Sequence, residues 1–366
     1  MAPSRAGGPA FPAATLCLAL WGSVAHATEL PAGFPPPLVP ASNLSTPEKI
    51  RLGRHLFYDT RLSGNRTYAC ATCHRQELAF TDGRARAVGS TGETHPRSAM
   101  SLANVAYNAT YNWADPRTVT LEQQALVPML RRDPVELGIG GRQDEVLDRF
   151  REDPETMAMF RGAFPGEPAP VELPHVVDAI ASFVRTIVSG NSSYDRLVYR
   201  GEMEALDATA RRGMRLFFSD RLRCSQCHAG FTFSGPIRFE GSGDIPPTFH
   251  NTGLYDLDGA GAYPPGNTGV HGVTGAATDM GRFRAPTLRN VAVTAPYMHD
   301  GSVETLGEVI DLYAAGGRGD GRASPLKSDR LAGFRIEEPE KRDLLAFLAS
   351  LTDHDFLTDP ALGNPR

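Results

Sequence analysis

The sequence has no apolar run approaching the roughly 20 residues that a membrane-spanning helix needs, so insertion as a helix bundle in a bilayer is not expected. Positive charge is also short. The 37 Lys and Arg against 42 Asp and Glu leave a net charge of −5, which argues against a nucleic-acid surface or a polybasic membrane patch. Strand-like alternation is scarce, which leaves a mostly α fold with long ordered loops as the expectation. Tryptophan is almost absent, with only Trp21 and Trp113, and there are five cysteines. What is slightly abundant is Gly (37) and Pro (29), a balance that fits ordered loops better than disorder. A length of 366 residues with 41% hydrophobic content can bury a real core and suggests two domains.

The first residues read as a secretory leader. Arg5 precedes an apolar stretch over 13–24, and Ala25-His26-Ala27 offers the small residues a signal peptidase accepts, so cleavage is expected after residue 27. Cys17 would leave with the leader, and four cysteines would remain in an exported, periplasmic protein. Four cysteines in such a chain ordinarily suggest disulfides. Their spacing points elsewhere.

Cys70-Ala71-Thr72-Cys73-His74 and Cys224-Ser225-Gln226-Cys227-His228 both read C-x-x-C-H. One short turn then holds two thiols, which can add across the vinyl groups of a haem, next to an imidazole that can ligate its iron. A dithiol redox centre needs no following His, and a zinc knot of four thiolates would not account for two copies of it. Two covalently bound haem c groups are therefore expected, on Cys70, Cys73 and His74 and on Cys224, Cys227 and His228.

The motifs sit in a repeat. LGRHLFYDTRL (52–62) precedes the first and RGMRLFFSDRL (212–222) the second, and Phe80, Asp82 and Gly83 after one motif are echoed by Phe231, Phe233 and Gly235 after the other. A duplicated cytochrome c unit is implied. The expected organisation is a leader at 1–27, an N-terminal haem domain at 28–190, a C-terminal haem domain at 191–352 and a tail at 353–366. The boundary is placed at the turn-rich Ser189-Gly190-Asn191-Ser192-Ser193, and helices are expected near 176–188 and 341–351. The Gly/Pro-rich stretch 241–281 reads as a loop, either a functional cover or a flexible linker.

Residues 281–301 (GRFRAPTLRNVAVTAPYMHDG) resemble the signature of the bacterial di-haem cytochrome c peroxidases and the related MauG proteins. Trp113, the run Leu121-Glu122-Gln123-Gln124-Ala125, Pro128 and Pro134-Val135-Glu136-Leu137 agree with the family's first half, and the likeness spans nearly the whole mature chain. QELAFTDG (76–83) and FHNTGLY (249–255) are most similar to the MauG-like di-haem enzymes associated with methanobactin-type copper-binding proteins.

The resemblance implies roles. The haem on His74 would react with hydrogen peroxide, with Gln124 and Glu136 above it and Glu136 moving the proton needed to break the O–O bond. Trp113 would lie between the haems and relay electrons. Tyr313 takes the position of the second haem's sixth ligand, where ordinary di-haem peroxidases use methionine. A phenolate there stabilises ferric and higher oxidation states. Met298 is the tempting alternative, since a thioether is a common partner of c-type haem. Ordinary di-haem peroxidases also carry a His that blocks the first iron until reduction. Here His95 is displaced from that position and is expected in a surface loop, leaving the first haem open. The family's calcium ion would fall to Ser98, Thr294 and Pro296. Arg282, Arg284 and Arg289 are expected to pair with haem propionates or carboxylates. His299 would orient the haem surroundings or be buried and hydrogen-bonded, and His55, His175, His250, His271 and His354 receive no role.

The implied function is a periplasmic oxidoreductase in which peroxide drives the two-haem unit to a high-valent state. That state would oxidise an aromatic residue, tryptophan above all, on a copper-binding partner protein, with kynurenine as product. Two alternatives stand: a peroxidase that draws electrons from a small cytochrome, and a di-haem electron-transfer module without peroxide chemistry. The last predicts two six-coordinate irons.

Overall fold

A computed structural model describes Met1 and residues 30–366; the expected leader, with Cys17 and Trp21, lies outside them apart from Met1. Among the described residues are nine α-helices of eight residues or more: α1 (Pro47–Tyr58), α2 (Leu121–Leu130), α3 (Gln143–Arg151), α4 (Pro154–Ala163), α5 (Leu173–Val184), α6 (Ser193–Arg200), α7 (Ala208–Phe217), α8 (Leu306–Ala314) and α9 (Glu338–Ala349). The described strands are β1 (His250–Asn251) and β2 (Arg282–Phe283), an antiparallel pair in which His250 faces Phe283. The fold is mostly helical, as expected.

Local signals start these helices. Thr46 accepts from the Lys49 N–H at the head of α1, where Pro47 takes the first-turn position that needs no donor. Thr120 with Gln123 opens α2, and Thr305 with Glu308 opens α8, each as a reciprocal capping box.

The same packing occurs twice. Helices α1 and α5 touch at Gly53, where a Cβ would lie 1.8 Å from the Ala179 carbonyl oxygen. Helices α7 and α9 touch at Gly213, where a Cβ would lie 1.9 Å from the Asp343 carbonyl oxygen. One turn on, Phe57 meets Phe183 edge-on with ring centroids 5.3 Å apart, and Phe217 meets Phe347 at 5.2 Å. All four rings are buried. Burying such a side chain contributes about 1.5–3 kcal/mol, so each crossing anchors its own apolar cluster.

The chain ends cross over. Near the N-terminus, Phe34 packs on Tyr199 and Phe231, with the Arg289 guanidinium 4.9 Å from its ring centre. The segment 353–366, expected as a separate tail, instead lies along α1. Phe356 and Leu362 enter the first core, the Tyr58 hydroxyl donates to the Leu362 carbonyl, and Arg366 pairs with Asp59 at 2.6 Å. Nor is the turn at Ser189–Ser193 a loose break, because the Asp353 carboxylate accepts from the N–H groups of Gly190 and Asn191. The stretch 241–281 is a packed wall rather than a flexible linker, with Asn251, Leu254, Tyr263 and Val270 all buried.

Gly53→Ala and Gly213→Ala should each lower stability by about 1–3 kcal/mol or more, the usual cost of overpacking. The control is Gly162→Ala on α4, where the added methyl meets nothing within 4 Å. It should be neutral or slightly stabilising, and urea unfolding of the purified holoprotein followed by far-UV circular dichroism separates the three.

Candidate active site

Each C-x-x-C-H motif is built as one tight turn. Cys70–Cys73 form a single helical turn, and the His74 N–H closes it on the Cys70 carbonyl at 3.0 Å. The His228 N–H does the same to Cys224, also at 3.0 Å. The His74 Nδ1–H then donates to the Phe80 carbonyl at 2.8 Å, and the His228 Nδ1–H is shared between the carbonyls of Phe233 (3.2 Å) and Pro286 (3.1 Å). Donation from Nδ1 selects the tautomer whose Nε2 lone pair is free for a metal. Phe80 and Phe233 both hold left-handed backbone, at φ 61° and 51°, which costs a bulky residue energy and persists only under tight packing. Burial pushes both histidines below their usual pKa, His228 to about 4, so each imidazole stays neutral.

None of the four described cysteines forms a disulfide. Burial raises the thiol pKa of Cys70, Cys73 and Cys224 to about 12. Among the described residues no three His, Cys, Asp or Glu side chains converge as a metal-holding group, which counts against the zinc alternative.

Two cavities open on these turns. The first is lined by Cys70, Cys73 and His74, with Gln124, Glu136 and His95 on its wall. The second is lined by Cys224, Cys227, His228 and Tyr313. Their atom-free space, including the part open to solvent, is about 1460 and 1780 Å3. Trp113 and Arg284 line both. Arg284 is buried with no partner for Nε or Nη1, and burial lowers its pKa to about 10. An orphaned guanidinium on this shared wall fits a cofactor that brings its own carboxylates, as haem does with its propionates. Its companions are satisfied from within the chain: Arg289 is fully buried against Asp195 in a two-bond pair (2.7 and 2.8 Å), and Arg282 reaches Asp279.

In the first cavity, Gln124 projects from α2 and accepts weakly from Asn112 at 3.4 Å. Glu136 follows α2 in a loop, and burial raises its carboxyl above the usual range against the opposing pull of Arg131. His95 is not in a surface loop, contrary to expectation. Its side chain is 17% exposed, its Nε2 lies 3.9 Å from Glu136 Oε1, and that nitrogen accepts from Arg131 Nη1–H at 2.7 Å. Burial and the adjacent Arg131 and Arg97 hold it near pKa 4. The segment 87–97 turns back on itself as a local hairpin, with the His95 N–H on the Ala87 carbonyl and the Gly89 N–H on the Glu93 carbonyl, and the Ser90 N–H on the Glu136 carbonyl ties it to the cavity wall.

In the second cavity, Tyr313 sits in the last turn of α8, which ends at Gly316 and Gly317 in positive φ. Burial pushes its phenol pKa well up, and the thiols of Cys227 and Cys224 add to the shift, placing the hydroxyl close to the second motif. Met298 lines the same cavity, as does His250, which the sequence left without a role. Trp113 is buried, and its Nε1–H donates to the Ser98 carbonyl at 3.0 Å. His299 stacks on Phe283 at 3.6 Å, and its Nε2 is buried without a hydrogen bond.

Ser98, Thr294 and Pro296 lie together on the second cavity's wall. The Ser98 hydroxyl donates to the Met298 carbonyl and the Ser98 carbonyl accepts from Trp113, each oxygen keeping a lone pair that a hard cation could take.

Residues 47–204 match the family model of the di-haem cytochrome c peroxidases. The chain is 35% identical over 315 residues to the methylamine utilization protein MauG of Methylorubrum extorquens, covering 85% of this chain and 80% of that one. It is 33% identical to the cytochrome c551 peroxidase of Pseudomonas aeruginosa over 301 residues, covering 82% and 78%. A crystal structure of a MauG-like protein associated with microbial copper homeostasis superposes with a TM-score of 0.90 at 45% identity, covering 92% of this chain and 99% of that one. With the twin C-x-x-C-H turns, the paired cavities and these likenesses together, the chain belongs to the di-haem cytochrome c peroxidase and MauG family of peroxidase-type oxidoreductases.

Proposed function

We propose that this chain is a periplasmic oxidase of the MauG type, which uses hydrogen peroxide to oxidise an aromatic side chain, tryptophan above all, on a copper-binding partner protein. The observation that carries the reading is Trp113, buried on the wall shared by both cavities while Tyr313 lines the second. Similarity to a MauG-like protein associated with copper homeostasis supports the partner class. The repeated helix crossing supports two haem units derived by duplication. In this reading, Cys70, Cys73 and His74 would hold one haem, and Cys224, Cys227, His228 and Tyr313 the other. The two groups would supply the redox chemistry.

The chain's own side chains supply the rest. Breaking the O–O bond requires a proton to leave one peroxide oxygen and arrive on the other, which departs as water. Glu136 is suited to both halves, accepting as carboxylate and returning the proton as carboxylic acid. Gln124 orients the peroxide from the facing wall. Trp113 passes one electron at a time between the cavities. A phenol at Tyr313, if bound as phenolate, disfavours a reduced iron and suits storage of oxidation.

A second reading, a conventional peroxidase fed by a small cytochrome, is favoured by His95 lying in the first cavity. Ligation separates the two. The first requires a resting ferric protein with one high-spin iron that responds to stoichiometric peroxide. The second requires two low-spin irons and activity only after partial reduction.

Two tests address the residues. The carboxylate form of Glu136 is the proton acceptor, so the rate of reaction with peroxide should rise with pH through its raised pKa. His95, held near 4, is already neutral there and adds no inflection. Glu136→Gln should flatten this profile and slow the step by roughly 10²–10⁴-fold in stopped-flow absorbance, the usual scale for general acid–base catalysis. Tyr313→Met should change the low-spin ferric signal in electron paramagnetic resonance and raise the second haem's reduction potential. An unchanged spectrum removes Tyr313 as ligand.

A further inference from the structure

Beyond the two cavities, aromatic rings continue outward from the second one. Phe283 and His299 line it and stack face to face. Tyr263, buried, lies 6.3 Å from each by ring centroid. Tyr255 lies 5.4 Å beyond Tyr263 and is only half-buried. These spacings fall within the range of aromatic contact, about 4.5–7 Å. Trp113 joins the same route through hydrogen bonds, its Nε1–H on the Ser98 carbonyl and the Ser98 N–H on the His299 carbonyl.

The two tyrosines differ in what takes their proton. The Tyr263 hydroxyl donates to the neutral amide oxygen of Asn251 at 2.9 Å. The Tyr255 hydroxyl donates to the Asp300 carboxylate at 2.6 Å. Phenol oxidation is far easier when the proton leaves with the electron, and only Tyr255 of the pair has a base in reach. The Arg318 guanidinium, 4.8 Å from the centre of the Tyr255 ring, disfavours a charged radical cation and so ties electron loss to proton loss. Two residues along the same loop, Leu257 is 60% exposed, an unusual exposure for a large apolar side chain.

We propose that Tyr255 is the surface terminus at which oxidising equivalents leave the protein, so that a partner protein presenting an oxidisable aromatic side chain docks over Tyr255 and Leu257. This rests on the peroxide-driven reading above. In each event one electron moves inward from Tyr255 through Tyr263 to the oxidised haem unit, and the phenolic proton passes to Asp300. The neutral tyrosyl radical then takes one electron from the docked side chain and recovers its proton from Asp300. Two such events use the two equivalents left by reduction of one peroxide. Tyr255 is here a relay, and Asp300 a positioning base.

The experiment gives holoprotein stoichiometric peroxide without a donor, freezes it for electron paramagnetic resonance, and maps oxidised residues by tryptic mass spectrometry. Wild type should show a neutral tyrosyl radical and oxidation concentrated at Tyr255. Tyr255→Phe, with its resting haem spectrum checked against wild type, should lose both, and Asp300→Asn should lose the radical while keeping the ring. Oxidation mapped to Tyr263, Trp113 or another residue, or a radical unchanged in Tyr255→Phe, overturns this exit but leaves the peroxide chemistry standing. No spectral response and no oxidised residue anywhere in wild type overturns both. If the variants do not fold, the wild-type map alone decides.

Discussion

Each haem turn depends on a histidine Nδ1–H donating to the carbonyl of a phenylalanine held in left-handed backbone, a donation that His228 shares with the Pro286 carbonyl. That bond chooses the tautomer that leaves Nε2 free for a metal, while burial keeps the imidazole neutral against the bond's opposing pull. The backbone strain behind it, of order 1–3 kcal/mol at such a residue, is sustained by aromatic packing. Phe80 is wedged between Phe57 and Phe356, and Phe233 between Tyr194, Phe217 and Phe347. Helix crossing, aromatic core and ligand geometry are therefore one cooperative unit, built twice.

The two cavities meet at a shared wall. Trp113 and Arg284 face both cavities, and the Arg284 N–H donates to the Trp113 carbonyl at 2.9 Å, so neither can shift alone. The crossed chain ends hold that wall in place. Phe34 belongs to the leading segment yet packs on the second unit, and Phe356 and Leu362 belong to the trailing segment yet complete the first core. The proposed sharing of electrons needs short, constant separations, and a hinge between the units would defeat it. The buried clamp of Asp353 on the 189–191 backbone removes that hinge.

The two cavities differ in their chemical walls. Glu136, Gln124 and His95 give the first a proton acceptor, an amide and a neutral imidazole, whereas the second is lined by Tyr313, Met298 and His250. A carboxyl beside one cavity and a phenol beside its neighbour is the asymmetry the proposed function requires, with peroxide met at the first and oxidation stored at the second.

Covalent chemistry and local periodicity were legible in the amino-acid order. C-x-x-C-H is one turn of chain, the capping box before α8 is four residues, and the twin Leu-Phe runs announce the repeat, because each acts between near neighbours in sequence. His95 was misjudged because its burial depends on Arg131 and Glu136, more than 35 positions away. The tail at 353–366 read as an appendage because its polar and Pro-rich composition hides the two side chains, Phe356 and Leu362, that dock some 300 positions back. Arg284 could be foreseen as a partner for acidic groups, but its position between two cavities, without a counter-charge from the chain, belongs to the packed whole. The sequence by itself determined which residues can hold a porphyrin and where the helices begin. Only tertiary packing decided which side chains share a wall, which imidazole is buried and which tyrosine has a carboxylate for its proton, since these are distances between segments that no local rule sets.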